Sequence, residues 1–176
     1  MTGAGASDPW AHGVLAEAER VEQALAQVLD RLAAIEQRGE GWSAAQVMWH
    51  LATVQGQVAR LLEKAVAALP PMVTVPPGAS WEALVASVDR FQLLNRNLRV
   101  EAPDGVRPPG GVTLAEERAR WTAGRARFRD VIPRLAPHLT LVRHAHPILG
   151  SLDGWQWALF MVRHEERHLR QLEELA

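Results

Sequence analysis

Apolar residues recur at helical spacing over the first part of the chain, and this periodicity restricts the fold more than any other feature. Between Val14 and Ile35 the apolar side chains return every three or four residues, so that they share one face of a helix. The pattern predicts a long amphipathic helix that ends at Gly39. No stretch alternates apolar and polar side chains over the length of a strand, so the sequence predicts no sheet.

Capping signals mark where the later helices begin. Ser43 and Gln46 have the spacing of a capping box, and Thr113 and Glu116 repeat it. Asp153 is a residue type that favours the N-cap position. The elements predicted after the first helix are helices over Trp42–Leu69, Ser80–Val100, Thr113–Leu135 and Asp153–Ala176, with a loop over Ala136–Leu152.

The helix predicted over Ser80–Val100 lies inside a long connection, because segments rich in proline and glycine flank it on both sides, Pro70–Gly78 and Pro103–Gly111. Pro133 and Pro137 are expected to end the next helix, since proline lacks the backbone N–H donor. Long helices joined by short turns and one crossover predict an all-α fold. We expect a four-helix bundle whose long crossover carries an extra short helix.

Composition restricts the class of protein. The 176 residues, 48% of them hydrophobic, predict a single helical domain over residues 10–176 after a flexible N-terminus, residues 1–9. A net charge of −1 argues against a nucleic-acid partner. No apolar run is long enough for a membrane span and no secretion signal is visible, so we expect a cytoplasmic protein without a membrane partner.

Three histidines carry the main functional signal. His164 and His168 are four residues apart and so share one helical face, and His50 lies on the apolar stripe of an earlier helix. The chain has no cysteine, so a transition metal would be held by histidine and carboxylate. If the two helices are neighbours, the three imidazoles predict a site for one divalent ion with a position left for water or substrate. Core histidines bonded to the backbone are the alternative interpretation.

The last helix also contains the pattern H-E-x-x-H, in which Glu165 would activate water as in zinc proteases. Such proteases generally take a third ligand downstream, but only eight residues follow His168 and none of them is histidine. Glu165 also lies about 100° around the helix from His164. We therefore interpret Glu165 as a solvated helix charge, although it is the one catalytic candidate that we name.

Polar and aromatic residues near the histidines predict the walls of a substrate pocket. Gln46, Thr53 and Gln57 flank the His50 stripe, and Trp49 adjoins His50. Trp157 and Met161 precede His164 on its own stripe and complete the predicted pocket. Core packing is the alternative role for the aromatic residues.

A second apolar stripe, formed by Trp155, Leu159 and Val162, lies on the last helix opposite the histidines. A helix that is apolar on two faces is either central to a core or shared with another subunit.

Two segments resemble the DinB/YfiT-like family of metalloenzymes. Residues 42–51, Trp-Ser-Ala-Ala-Gln-Val-Met-Trp-His-Leu, are similar to the motif on the second helix of that family. The His146-Pro147-Ile148-Leu149-Gly150 loop, followed by Trp155 and the HxxxH pair, is similar to the family's closing segment.

The resemblance implies the DinB type of four-helix bundle, with His50, His164 and His168 as ligands of nickel or zinc. It also implies a homodimer, and a thiol-dependent transferase or isomerase that uses a low-molecular-weight thiol. His146 matches the loop motif rather than a ligand position, and we interpret it as structural.

Three functional classes remain open at this point. The first is an enzyme that acts on a small molecule, either a thiol transferase or a metal-dependent hydrolase, in which the metal lowers the pKa of a bound thiol or water. The second is a metal- or ligand-binding module without turnover, and the third is a helical interaction protein whose histidines are structural.

Overall fold

A computed structural model describes residues 8–33, 41–70 and 80–176 of the chain. Its elements, in order, are helices α1 (Pro9–Leu32), α2 (Ala44–Ala67) and α3 (Trp81–Asp89), a short 3₁₀ helix (Asp104–Val106), α4 (Leu114–Leu139), strands β1 (Arg143–His146) and β2 (Gly150–Asp153), and α5 (Gly154–Glu173). The predicted flexible segment up to residue 7 and the predicted helix end at Gly39 lie outside the described residues.

The four long helices form a bundle, and the short α3 lies in the crossover between α2 and α4. Helix α2 packs along α4, α1 packs along α5, and α5 also contacts α2 and α3. The buried side chains of all five helices form one apolar cluster. The all-α bundle with an extra helix in its crossover is therefore confirmed, and the neighbouring positions of α2 and α5 bring their histidine-bearing faces together.

The predicted caps form. Ser43 and Gln46 make a full capping box at α2, and Asp153 makes another with Gln156 at α5. The Thr113 hydroxyl accepts the Glu116 N–H at the start of α4. These bonds satisfy backbone donors that the first turn of a helix leaves unpaired, so they determine where each helix begins.

The helix predicted over Ser80–Val100 is wrong in its second half, because α3 ends at Asp89. The residues after it form turns whose carbonyl groups face α5 instead of continuing a helix. Arg167 and Arg170 of α5 donate to these carbonyls, which belong to Leu93, Leu94, Asn95 and Leu98. Charged donors from a neighbouring helix thus replace the bonds that a longer α3 would have made.

The prediction that proline ends the fourth helix is also wrong, since α4 continues through Pro133 and Pro137 to Leu139. Both prolines are exposed, so water can reach the carbonyl groups that lose their helical partners. The opposite face of this last segment is buried, and its apolar residues are Val131, Ile132, Leu135, Ala136 and Leu139. Burying a large apolar side chain contributes about 1.5–3 kcal/mol, so together these residues offset the penalty of about 3 kcal/mol for each of the two prolines.

The loop predicted over Ala136–Leu152 contains a β-hairpin, so the expectation of no strands is also wrong. Strand β1 pairs with β2 in antiparallel register, from Arg143 opposite Asp153 to His146 opposite Gly150. Gly150 has a φ of 81°, a conformation that glycine adopts without steric cost. Each strand has only four residues, which is too short for an alternating pattern to be visible in the sequence.

The second apolar stripe of α5 is buried within the chain itself. Trp155, Leu159 and Val162 belong to the core, and Trp10 of α1 meets Trp155 edge to face at 5.6 Å. The stripe is therefore central to the core and gives no support to the expected homodimer. Within the described ranges, no helix combines the length and apolarity needed to cross a membrane.

Candidate metal centre

Three imidazoles from two helices meet at the contact between α2 and α5. One ring nitrogen from each of His50, His164 and His168 lies within 4.8 Å of the other two. The Nε2 atoms of His50 and His164 are 3.1 Å apart. The four-residue spacing on α5 places His164 and His168 one above the other, and the packing of α2 against α5 brings His50 against both rings, at centroid distances of 5.0 Å and 4.9 Å.

Hydrogen bonds to two of the rings orient their nitrogens. The Nδ1 atom of His50 is 2.7 Å from the Val106 carbonyl, which is only an acceptor, so Nδ1 carries the proton. The Nδ1 atom of His168 lies 2.8 Å from the Gln171 side-chain oxygen and is protonated for the same reason. The Nε2 lone pairs of both rings are therefore free, as they are in histidine ligands held by an outer acceptor.

The three rings are neutral at physiological pH. Burial lowers the pKa of His50, and burial together with the neighbouring His50 lowers the pKa of His168 to about 3. Burial, followed by the proximity of His168 and His50, lowers the pKa of His164 well below its ordinary value. A neutral imidazole is the form that binds a metal ion, so the burial of the three rings favours the protonation state that metal binding requires.

These residues fit a divalent metal ion. Two free Nε2 lone pairs directed toward a common region repel each other unless a proton or a cation lies between them. The Nδ1 atom of His164 is buried and has no hydrogen-bond partner in the described part of the chain, so the metal-free ring has its proton on Nε2, which donates to the His50 Nε2 atom 3.1 Å away. A cation held by the three Nε2 atoms would replace that proton, and the His164 proton would then lie on Nδ1.

Aromatic rings surround the cluster on two sides. The Trp42 ring stacks on His168 with an interplanar angle of 13° and a centroid distance of 6.5 Å, and it also contacts His50 at 5.1 Å. Phe160, one helical turn before His164, contacts that ring at 5.6 Å. Sequence reasoning did not assign these roles to Trp42 or Phe160, although Trp42 opens the motif that contains His50.

Two residues that orient the histidines were also missed. Val106 acts through its backbone carbonyl, which every residue type carries, so no sequence signal could have identified it. Gln171 follows His168 by three residues on α5, a spacing that brings two side chains into contact on a helix. That spacing was the available signal for Gln171.

Two of the predicted pocket residues of α2 bind the loop that passes over the site. Gln46 completes the capping box of α2, and its side-chain N–H also donates to the Pro109 carbonyl. Gln57 donates to the carbonyl of Gly105. These bonds lie on either side of the contact between His50 and Val106, so the two glutamines hold the loop over residues 105–109 against α2.

Trp49 and Thr53 make their contacts with α4. Arg120 donates to the Trp49 carbonyl and to the Thr53 hydroxyl, and its guanidinium lies 5.2 Å from the centre of the Trp49 ring. Of the two pocket residues predicted on α5, Met161 is buried in the core. Trp157 packs against Phe160 and donates to the His144 carbonyl.

Glu165 is buried, so its interpretation as a solvated helix charge is wrong. Its side chain is 1% exposed, and its carboxylate binds the guanidinium of Arg125, which is 0% exposed. Gln55 and Trp121 donate to the other carboxylate oxygen at 3.2 Å and 3.0 Å. The carboxylate of Glu165 is thus engaged by three donors from α2 and α4, and this network joins the three helices beside the histidines.

A groove of about 1050 Å³ lies elsewhere on the molecule, between α1, α2 and α4. Its walls consist largely of alanine and leucine side chains, and its lining includes none of the three histidines. The histidine cluster is instead covered by Trp42 and by the short 3₁₀ helix that ends at Val106.

Comparison with known proteins agrees with the fold and with the cluster. No curated protein and no solved structure matches the chain. The sequence profile of the DinB superfamily matches residues 14–172, which include all five helices except the first residues of α1 and the last residue of α5. With a helical bundle, a three-histidine cluster and a profile match over most of its length, the chain belongs to the DinB superfamily.

Proposed function

We propose that this protein is a metal-dependent enzyme that activates a small thiol and transfers it to an electrophilic small molecule. The observation that carries the proposal is the common orientation of the histidines. The Nδ1 atoms of His50 and His168 face fixed acceptors, while the ligand nitrogens of all three rings lie within 4.8 Å of one another. Such outer acceptors accompany histidines that ligate metals.

The donor set supports zinc or nickel as the ion. Neutral imidazole nitrogens bind both metals well, whereas magnesium and calcium prefer oxygen ligands. Within the described residues, the cluster is formed by histidine alone. Three protein ligands leave at least one coordination position for a thiol or water, which is typical of a catalytic site rather than a structural one.

Different parts of the chain supply different functions at this site. A bound divalent ion would act as a Lewis acid and lower the pKa of a thiol or water that binds beside the histidines. The Val106 carbonyl and the Gln171 side chain hold His50 and His168 in their ligating orientation. Trp42 covers the rings of both histidines and restricts the access of water to them.

The surroundings of Glu165 support a thiol over water as the nucleophile. A free thiol has a pKa of about 8.5 and needs no separate base once a metal lowers that value. Water is a much weaker acid, so hydrolases commonly use a carboxylate as general base. Glu165 is next to His164 in the sequence, but its carboxylate binds Arg125, Trp121 and Gln55 in the interior. It is therefore not free to accept a proton from water.

A panel of reactions tests the proposal. Protein purified without a histidine tag is loaded with zinc, nickel, manganese or iron(II), and small thiols are combined with halogenated and epoxide electrophiles. We expect metal-loaded protein to form the thioether faster than the His168→Ala variant. His12→Ala is the matched control, because His12 is an exposed histidine of α1 and the change should leave the rate unaffected.

Other outcomes of the panel would assign a different function. Ester cleavage without a thiol, lost in His168→Ala, would identify a metal-dependent hydrolase. Retention of the metal with no turnover for any combination would identify a metal-binding module. Failure of the protein to bind any of the four metals would contradict both enzymatic proposals.

A further inference from the structure

His146, at the end of β1, is held in one tautomeric form by the hairpin. Its Nδ1 atom accepts hydrogen bonds from the backbone N–H groups of Ile148, at 3.1 Å, and Leu149, at 3.2 Å. A nitrogen that accepts cannot also carry the proton, so the neutral ring has its proton on Nε2. Burial lowers the pKa of His146, which is consistent with a neutral ring. The hairpin therefore presents an Nε2–H donor of fixed direction.

The position of His146 relates it to the histidine cluster. Its ring meets Phe160 edge to face at a centroid distance of 4.6 Å and packs against Trp157 at 5.1 Å. Phe160 in turn contacts His164 at 5.6 Å. Four residues of helix correspond to about 6 Å along the axis, so His146 lies over the turn of α5 that precedes His164.

The Nε2–H group of His146 is available to a ligand. Within the described residues, its Nδ1 makes the two hairpin bonds and its Nε2 makes no hydrogen bond. The ring is partly exposed, and Nε2 is not among the fully buried polar atoms that lack a partner. A donor that is fixed in direction, unpaired and accessible can bind an acceptor at little cost in conformational entropy.

We propose that the Nε2–H of His146 donates a hydrogen bond to a carbonyl or carboxylate oxygen of the ligand at the three-histidine site. The inference rests on the proposed function, because it takes a ligand at the open position of the site. The inference also specifies the class of ligand. The ligand is a molecule whose oxygen acceptor lies about one helical turn from the ligand atom that binds beside His164. Phe160, whose ring contacts both His146 and His164, would line the space between these two ends.

Two substitutions separate ligand binding from support of the hairpin. His146→Asn places an amide oxygen close to the position of Nδ1 and so retains an acceptor for the two N–H groups, but it removes the distal donor. His146→Gln places an amide N–H close to the position of Nε2 and removes the near acceptor. The first variant tests the donor, and the second tests the structural role.

The readout is binding to cobalt-loaded protein, in which a thiolate ligand produces an absorption band. The probes are methyl 3-mercaptopropionate, whose ester carries an uncharged oxygen acceptor, and 1-pentanethiol, which is apolar. We expect the wild type to bind the ester thiol about 5-fold more tightly than it binds the alkanethiol, because one neutral hydrogen bond typically contributes a factor of about this size. The His146→Asn variant should lose this preference and keep the wild-type melting temperature and alkanethiol affinity.

The His146→Gln variant should keep part of the preference and melt at a lower temperature. If His146→Asn retains the preference, or if it weakens both thiols equally, the proposed donor role is wrong. If neither thiol changes the cobalt spectrum of the wild type, the thiol function itself fails and this inference fails with it. If both thiols bind the wild type with equal affinity, the result agrees with the thiol function but contradicts the proposed role of His146.

Discussion

The carboxylate of Glu165 and the guanidinium of Arg125 form an ion pair in the interior of the bundle, where their side chains are 1% and 0% exposed. Glu165 immediately follows a candidate metal ligand on α5, and Arg125 lies on α4. The pair therefore connects α5, which carries His164 and His168, to α4. Helix α4 in turn packs along α2, which carries His50. Its position suggests that it maintains the geometry of the site without touching the ligand.

Glu165→Gln should destabilise the protein strongly. The change leaves the charge of Arg125 buried with only the more distant carboxylate of Glu22, at 3.8 Å, as a partner, and breaking a buried ion pair typically costs about 3–5 kcal/mol. The free energy of unfolding from urea titration measures the effect. Glu173→Gln, an exposed position on the same helix, should change it by less than about 0.5 kcal/mol. A Glu165→Gln variant that keeps its stability but loses activity would instead point to a catalytic carboxylate.

Removal of the metal should lower the melting temperature. An ion present at about 100 times its Kd stabilises the native state by about 2.7 kcal/mol, which corresponds to roughly 5–10 °C for a domain of this size. His50→Ala should remove most of the difference between metal-loaded and chelator-treated protein, and His12→Ala should not. Thermal unfolding with and without chelator provides the measurement. Equal melting temperatures for wild-type protein shown by metal analysis to differ in metal content would contradict the site.

Gln171→Leu should weaken metal binding although Gln171 is not itself a proposed ligand. The change removes the oxygen that fixes the Nδ1 proton of His168. Loss of such an outer partner typically reduces metal affinity by about 10–100-fold. Competition with a chromophoric chelator measures the Kd, and Gln27→Leu, at an exposed position of α1, serves as the control. An unchanged Kd in Gln171→Leu would show that the ring orientation is determined by packing alone.

The metal-free protein should lose stability as the pH falls below about 6.5. The pKa values of His50, His146, His164 and His168 are all lowered in the folded state. Above about pH 6.5 these rings are neutral in both states, whereas at lower pH the unfolded chain binds more protons, so acid favours unfolding.

For His168, whose folded pKa is lowered to about 3, the loss between pH 6.5 and 5 is about 2 kcal/mol. Urea unfolding of metal-free protein at about pH 7.5 and about pH 5 measures it. The His168→Gln variant should show a smaller pH dependence, because its side chain cannot titrate in this range. An equal free energy of unfolding at both pH values would contradict neutral, buried imidazoles.

The sequence by itself determined the elements whose causes are local. The apolar periodicity beginning at Val14 and the caps at Ser43, Thr113 and Asp153 predicted the long helices and most of their starting points. The spacing of His164 and His168 predicted their shared face. These features depend on residues within a few positions of one another, so they can be read without knowing which helices are neighbours.

Only the tertiary structure decided the features that depend on distant partners. Glu165 has the local sequence context of a solvated charge, and its burial follows from Arg125, which is 40 residues away on another helix. The continuation of α4 through Pro133 follows from the apolar surface that the bundle buries on its other face. The orientation of His50 depends on a backbone carbonyl at the end of the short 3₁₀ helix, 56 residues away. Each of these outcomes is a balance between local propensity and contacts that exist only after the helices pack together, and there the contacts contribute the larger free energy.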